Sequence, residues 1–273
     1  FFAHTSTIVV DYDFERLAAK IASGSANGKD LIALKNSLFV LPEIKLDLLD
    51  CDCLLLQEIQ ENILPLEDVH ERIFRALVED PPFTVKEGGL IQTGYSEELD
   101  QLKASIYDAQ QWIAGLEAIE RERTGISNLK VGYNRVFGYY LEITRSKYDM
   151  IPENYIRKQT LVNAERFITP ELKEMESLVL NEEAKINQME YQIFTELREE
   201  IKGHIDAIQR TSAAVSSLDV LVSFAEVSTK LGYVKPVVHD GDEIRIEKGR
   251  HPVIEQSIRD GIFVPNDTFM DCE

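Results

Sequence analysis

The stretch from Pro170 to Arg210 most constrains how this chain can fold, because it has no proline after its first residue and its apolar side chains recur at helical spacing. Pro170 suits a first helical turn, and Thr169 before it can cap the helix. About forty helical residues would extend ~60 Å, too long to be enclosed in a compact domain, so the helix must lie beside a partner. A break is predicted at "RTSAAVSS", residues 210–217. The apolar stripe consists of Leu172, Met175, Val179, Ile186, Met189, Ile193, Leu197, Ile201, Ile205 and Ile208.

Residues 96–123 supply that partner. Ser96 is a candidate N-cap, and Gly125 is the expected end of the helix. The two long segments are therefore predicted to pack as antiparallel helices. The apolar residues of the first segment follow the alternating three- and four-residue spacing of a coiled coil: Leu99, Leu102, Ile106, Ala109, Ile113 and Leu116.

The sequence between these helices has a different character. "VGYNRVFGYYLEIT", residues 131–144, is rich in strand-forming aromatics, and Leu141 and Ile143 alternate with polar neighbours. This pattern predicts a small sheet inserted at the tip of the helix pair. A sheet of this size lacks a deep core, so we expect three aromatic side chains to supply its packing: Tyr133, Phe137 and Tyr139.

The remaining residues are mostly helical in pattern. Helices are predicted over 13–23 with Asp13 as N-cap, from about Lys29, and in two segments separated by Pro65. A small hairpin is expected around Gly88-Gly89, and two short strands around Asp240-Gly241. The predicted fold is mainly α: a helical core, two long antiparallel helices, and a small β-rich insertion at their tip.

The net charge of −19, from 29 Lys and Arg against 48 Asp and Glu, argues against nucleic-acid binding if it is spread evenly. It is uneven. Residues 121–169 contain nine Lys and Arg and five Asp and Glu, a charge of +4, so the remainder carries −19 − 4 = −23. The inserted segment is a basic island in an acidic chain.

Several motifs that could indicate chemistry do not meet its requirements. "GSANGKD", residues 24–30, has the wrong glycine spacing for a phosphate loop and is interpreted as a loop between helices. Cys51 and Cys53 are too close for a zinc pair, and residues 239–243 fit a solvated turn. No catalytic residues and no metal site are expected. No apolar run approaches the ~18 residues needed to cross a bilayer.

One cluster of donors falls inside the basic segment. "RKQTLVNAERF", residues 157–167, provides side chains that hold phosphate oxygens without reading bases. The alternative is a polar loop whose cations pair with nearby glutamates, and the sequence leaves both interpretations open. The candidate DNA-binding residues are Asn134, Arg135, Arg157, Lys158, Gln159, Thr160, Asn163 and Arg166.

Four motifs in fixed order resemble the MutS family of DNA mismatch-repair ATPases: "LKVGYNRVFGYYLEIT", "IRKQTLVNAERFITPELKE", "LDVLVSFAE" and "GRHPVIEQ". The resemblance extends from about Asp13 to the C terminus. It implies a core and lever domain in two parts, residues 1–121 and 170–232, with a DNA-gripping clamp, 122–169, inserted between two lever helices. Residues 233–273 would begin the ATPase domain.

The resemblance also implies cofactors and partners. Full-length members use ATP and Mg²⁺, and the phosphate-binding loop is expected to follow the C terminus, so this chain alone is not expected to be an enzyme. Phe263 and Val264 match positions that pack the adenine. Expected partners are double-stranded DNA, a second copy in the full-length homodimer, and a MutL-type repair protein. The chain alone is expected to be a monomer, cytoplasmic and nucleoid-associated, without membrane contact.

The function implied by the resemblance is DNA mismatch repair, through non-specific clamping of the duplex backbone and lever coupling to the ATPase. Two alternatives stay open at this point. One is a coiled-coil module that binds protein, which explains the helical spacing but not the donor cluster. The other is a MutS paralogue acting in recombination.

Overall fold

The computed structural model describes residues 14–258 and 262–271. It is mainly helical, with two small antiparallel sheets, as the sequence predicts. The chain divides into two compact units with the boundary between Val222 and Ser223. No helix in the described part has both the length and the apolarity to cross a membrane.

The described part of the first unit begins with five short helices: α1 Phe14–Ala22, α2 Gly28–Phe39, α3 Leu41–Asp47, α4 Leu54–Asn62 and α5 Glu67–Ala76. Asn27 caps α2, since its side chain accepts the N–H of Asp30 while the Asp30 carboxylate accepts the N–H of Asn27. The predicted loop at residues 24–30 is confirmed for residues 24–27, while Gly28 to Asp30 already form the first turn of α2. The predicted N-cap of α1, Asp13, lies outside the described residues.

Helices α6 Glu97–Thr124 and α7 Pro170–Lys202 are the predicted long pair. Their 28 and 33 residues correspond to about 42 and 50 Å of helix. Ser96 and Thr169 cap them as predicted, and Gly125 ends α6 at a φ of 70°. The expected α6 stripe faces inward, with Leu102 partly buried and the others buried: Leu99, Ile106, Ala109, Ile113 and Leu116.

Cross-helix contacts show that α6 and α7 are antiparallel. Lys103, near the start of α6, binds Glu190, in the second half of α7. Trp112, further along α6, lines an apolar groove with Met175 and Leu178, near the start of α7. A later residue of α6 therefore meets an earlier residue of α7, as in an antiparallel pair.

The predicted break at residues 210–217 is wrong. α7 ends at Lys202 and α8, Ile205–Leu231, runs uninterrupted through that segment. Gly203 makes the break, and its N–H bonds to the carbonyls of Glu199 and Glu200. The small residues of 210–217 allow close packing instead. The Thr211 hydroxyl, for example, is buried and accepts the N–H of Leu64 at 3.1 Å.

The segment between α6 and α7 forms an antiparallel sheet of β1 Lys130–Asn134, β2 Gly138–Thr144, β3 Ile156–Thr160 and β4 Ala164–Ile168, in the order β1-β2-β4-β3. A 3-10 helix, Arg145–Met150, follows β2. Leu141 and Ile143 are fully buried, which confirms the predicted alternation. The expectation for Tyr133 is wrong, because this residue is 58% exposed. Its ring lies 5.0 Å from that of Tyr139 in an edge-on arrangement, while the core of the sheet is filled by aliphatic residues and Phe167.

Two predicted hairpins are corrected. Around Gly88-Gly89 the described structure has only an isolated bridge between Leu77 and Ile91, because Glu190 of α7 takes the N–H of Leu90. In the second unit, the strand predicted before Asp240 is not formed among the described residues. There, β5 Ile244–Gly249 pairs instead with β6 Asn266–Met270. Helix α9, Pro252–Ser257, lies between these two strands in the sequence.

Glu190 is the most buried charge in the helix pair, with no exposed surface. One carboxylate oxygen accepts the N–H of Leu90 at 2.7 Å, and the other lies 2.7 Å from Nζ of Lys103. Gly88 also packs on α7, beside Asn187. One carboxylate thus fastens the irregular segment before α6 to α7, and α6 to α7 as well.

We expect Glu190→Ala to reduce the free energy of unfolding by about 3 kcal/mol, because the buried Leu90 N–H loses its acceptor. Glu190→Gln should cost only about 1 kcal/mol, since an amide oxygen can still accept that N–H and Lys103 can reach water. Urea unfolding followed by circular dichroism measures both. Exposed Glu196→Ala on the same helix is the control, and an equal loss for Gln and Ala would contradict this account.

Candidate nucleic-acid interface

The sheet register separates the predicted DNA-binding residues into two groups. Asn134 pairs with Gly138 at one end of β2, while Thr144 pairs with Ala164 at the other. These ends are about 20 Å apart at 3.4 Å per residue. Asn134, the last residue of β1, and Arg135 therefore lie at the β1–β2 turn. The donors of residues 157–163 lie in and beside the β3–β4 turn, at the opposite end.

The two ends also differ in what surrounds them. The β1–β2 hairpin lies along α6, since Tyr133 and Tyr139 line a cleft with Gln110 and Ala114. The β3–β4 turn lies at the end of the sheet away from that cleft. It closes through a 2.8 Å hydrogen bond from the N–H of Leu161 to the carbonyl of Ala164.

A β-bulge in β3 determines how its side chains point. Arg157 pairs with Phe167 and Gln159 pairs with Arg166, so Lys158 is an extra residue without a partner across the ladder. Lys158 is exposed, and no carboxylate among the described residues lies within ion-pair distance of its ammonium group. The bulge presents an unpaired cation to solvent.

Three further donors flank Lys158. Arg157 is 63% exposed and makes a long contact, 3.4 Å, with the largely buried carboxylate of Glu165. Thr160 and Asn163 are exposed. Together with Lys158 these side chains form a surface of hydrogen-bond donors, which we call the β3–β4 donor surface. Such donors can hold phosphate oxygens without distinguishing bases.

Arg166 and Gln159 are occupied within the sheet. Nε of Arg166 donates to Glu142 at 2.8 Å, and Nη1 donates to the side-chain oxygen of Gln159 at 3.0 Å. The guanidinium also lies 4.2 Å from the centre of the Tyr140 ring. The side chain of Arg166 is only 20% exposed, so it differs from Lys158 in both access and pairing.

The β1–β2 turn is shaped by two close contacts. The side-chain oxygen of Asn134 accepts the N–H of Val136 at 2.8 Å, which leaves Arg135 exposed beside it. Gly138 has a φ of +82°, and a Cβ there would overlap Oε1 of Glu176. That oxygen accepts the N–H of Tyr139 at 3.1 Å, so α7 holds the turn directly.

α6 holds the sheet through two more glutamates. Glu117 accepts the N–H of Val131 at 3.0 Å, and buried Glu120 accepts the Tyr155 hydroxyl at 2.6 Å. Burial, and then the bond to Glu120, raise the pKa of Tyr155, so this hydroxyl stays protonated and donates. The hydrogen bond to Glu120 is also the main cause of the raised pKa of Arg123.

The carboxylates that anchor the sheet are not predicted from the sequence, although a signal for two of them is present there. Glu120 is four residues after Leu116, where the α6 stripe would next place an apolar residue. Glu176 occupies the corresponding place in α7, between Leu172 and Val179. A charge at a core position of a helix pair indicates a buried partner that the pattern cannot identify.

The predicted adenine-packing residues lie in the second unit, just before β6. Phe263 is partly buried and Val264 is 71% exposed. Two apolar side chains offer no donors for phosphate oxygens, so these residues do not by themselves fit a nucleoside triphosphate. Within residues 14–258 and 262–271, no three His, Cys, Asp or Glu side chains are grouped as a metal site requires.

Comparison of the sequence with known proteins identifies the family of this chain. The family described as MutS family domain IV matches residues 94–185, which contain α6, the inserted sheet and the first half of α7. The DNA mismatch repair protein MutS of Halothermothrix orenii is 50% identical over 262 residues, 96% of this chain. The chain belongs to the MutS family.

Other MutS relatives agree. The DNA mismatch repair protein MutS of Acetivibrio thermocellus is 49% identical over 262 residues, and that of Symbiobacterium thermophilum is 46% identical over 260. The chain spans 29–30% of the length of these MutS proteins and of the one from Halothermothrix orenii. The match favours neither alternative, the coiled-coil protein-binding module or the MutS paralogue acting in recombination.

We expect Gly138→Ala to reduce the free energy of unfolding by about 2 to 3 kcal/mol, since the methyl group strains the backbone and displaces Glu176. Gly89→Ala is the matched control. Its φ is +75° but no atom lies within 4 Å of a Cβ there, so only the backbone strain, about 1 kcal/mol, should appear.

Urea denaturation measures both variants, and hydrogen exchange of the Tyr139 amide reports on the turn itself. Faster exchange is expected in Gly138→Ala alone. Equal losses of stability for the two variants would show that the contact with Glu176 does not matter.

Proposed function

We propose that this chain is the part of a MutS-family DNA mismatch-repair protein that holds duplex DNA by its sugar–phosphate backbone. The observation that supports this most is the β3–β4 donor surface: an unpaired, bulged Lys158 with Arg157, Thr160 and Asn163 beside it, in a chain whose remainder is strongly acidic. The names of the relatives, DNA mismatch repair proteins, agree with it.

The binding we propose does not depend on base sequence. Ammonium, guanidinium, hydroxyl and amide groups donate to phosphate oxygens equally well at every base pair. The +4 charge of residues 121–169 is small, and the acidic remainder repels the duplex, so affinity should be low and should fall steeply with salt. The β1–β2 turn, with Asn134 and Arg135, would be a second and separate contact.

We further propose that α6 and α7 act as levers and the inserted sheet as a clamp. Packed helices anchored to the sheet by Glu117, Glu120 and Glu176 are stiff enough to carry a displacement along the pair. The other end of such a coupling would be the ATPase domain of the longer protein, which would use ATP and Mg²⁺.

The same hypothesis includes the partners and location of the longer protein. We propose that it acts in the cytoplasm on the nucleoid, as a homodimer that presents two such clamps to one duplex, together with a MutL-type protein. Two weak clamps on one duplex bind more tightly than one, since the second contact is intramolecular. The proposal for the 273-residue chain by itself is that it is a monomer and has no ATPase activity.

Lys158→Met should weaken binding of the 273-residue chain to a short duplex about five- to tenfold, because one phosphate contact is lost. The slope of log affinity against log salt should fall by about 0.9, the value for one phosphate. Fluorescence anisotropy at several salt concentrations measures both quantities.

Lys185→Met is the matched control for net charge. Lys185 is an exposed lysine on α7 whose ammonium pairs with Glu182, and its removal should leave affinity and slope unchanged. Matched and mismatched duplexes should bind alike. Equal effects of the two substitutions, or discrimination between the two duplexes, would contradict the proposal.

A further inference from the structure

We propose that Arg166 is a positioning residue for the β3–β4 donor surface and not one of its phosphate ligands. In this inference, which rests on the proposed function, Arg166 fixes Gln159 and thereby the bulge that presents Lys158. The sequence alone groups Arg166 with the other cations, whereas the contacts of its guanidinium separate it from them.

The charge of Arg166 is already matched inside the sheet. Its Nε donates to a Glu142 oxygen 2.8 Å away, and the guanidinium lies against the Tyr140 ring. The Tyr140 ring packs closely over its cross-strand neighbour Gly132, where a Cβ would be 2.6 Å from the ring. A guanidinium held between a carboxylate and a ring cannot turn toward a phosphate without breaking both contacts.

Arg166 also belongs to a polar row that crosses all four strands. The row follows the register, and its members are Lys130, Glu142, Arg166 and Gln159. Among the strands that the structure describes, β3 is an edge strand that pairs only with β4. After the bulge, the pairing of β3 with β4 therefore begins again at Gln159, and it depends on that residue.

The Arg166–Gln159 contact specifies the register of β3 beyond the bulge. Nη1 of Arg166 donates to the Gln159 side chain at 3.0 Å, across the strand pair that re-forms there. A shift of one residue would remove the bulge and place Lys158 opposite Arg166, where two cations repel each other. Arg166 thus favours the register in which Lys158 faces solvent.

A phosphate ligand and a positioning residue differ in salt dependence. Removing a ligand lowers both the affinity and the salt slope, because fewer counterions are released on binding. Removing a positioning residue lowers the fraction of chains in the register that presents Lys158, and this lowers the apparent affinity. The contacts made in the bound state stay the same, so the slope stays nearly unchanged. Arg166→Met in the 273-residue chain should weaken duplex binding about fivefold with a slope change well below the 0.9 of Lys158→Met.

Arg166→Lys tests the same point with the charge retained. Lysine lacks the planar fork that reaches Glu142 and Gln159 together, so we expect it to bind DNA about as weakly as Arg166→Met. A lysine variant that binds as well as the unaltered chain, combined with a loss of slope in Arg166→Met, would overturn the inference and make Arg166 a ligand.

Gln159→Leu covers the case in which Arg166 variants fail to fold, because it removes the acceptor and leaves the Arg166–Glu142 pair intact. It should weaken binding with little change in slope, and it should speed hydrogen exchange of the Leu161 amide, which donates to the Ala164 carbonyl beyond the bulge. Normal exchange together with normal affinity would overturn the inference.

Combining Gln159→Leu with Lys158→Met should cost less than the sum of the two separate losses, because both act on the same contact. Strictly additive losses would count against the inference. Absence of duplex binding by the unaltered chain would instead overturn the proposed function, and this inference with it. A normal response to Lys158→Met with an equal slope loss in Arg166→Met would overturn this inference alone.

Discussion

Carboxylates at core positions of the α6–α7 pair hold together the parts of the first unit that have no core of their own. Glu190 fastens the irregular segment before α6, Glu120 fastens the far part of the inserted segment through Tyr155, and Glu176 fastens the β1–β2 turn. Each is buried and accepts a hydrogen bond from the segment it fastens. A buried carboxylate needs such donors, so each position determines where an adjoining segment can lie.

This arrangement gives the two ends of the inserted sheet different properties. The β1–β2 hairpin is fixed to both helices, to α6 by Glu117 at Val131 and to α7 by Glu176 at the turn. The β3–β4 end has its exposed donors around a bulge in an edge strand, and an internal arginine holds that strand in register. A rigid attachment at one end and accessible donors at the other is what a DNA clamp moved by helices would need.

The periodic elements could be predicted from sequence because their information is local. The α6 and α7 stripes, both N-caps and the alternation of Leu141 and Ile143 with polar neighbours each depend on spacing within a single element. The errors have non-local causes. The Gly88-Gly89 hairpin is absent because α7 takes the Leu90 amide, and the break falls at Gly203 because Thr211 and its small neighbours pack against the helical core.

The sequence by itself determined the helix pair, the β-rich insertion, the basic charge of that insertion and the MutS resemblance, since residue type and order contain all of these. Only the tertiary structure decided which cations are accessible. Arg157, Lys158 and Arg166 are alike in a sequence, yet register and bulge leave Lys158 unpaired while Arg166 is enclosed by Glu142, Gln159 and Tyr140. The physical reason is that pairing between strands depends on residues brought together by folding, which no local pattern specifies.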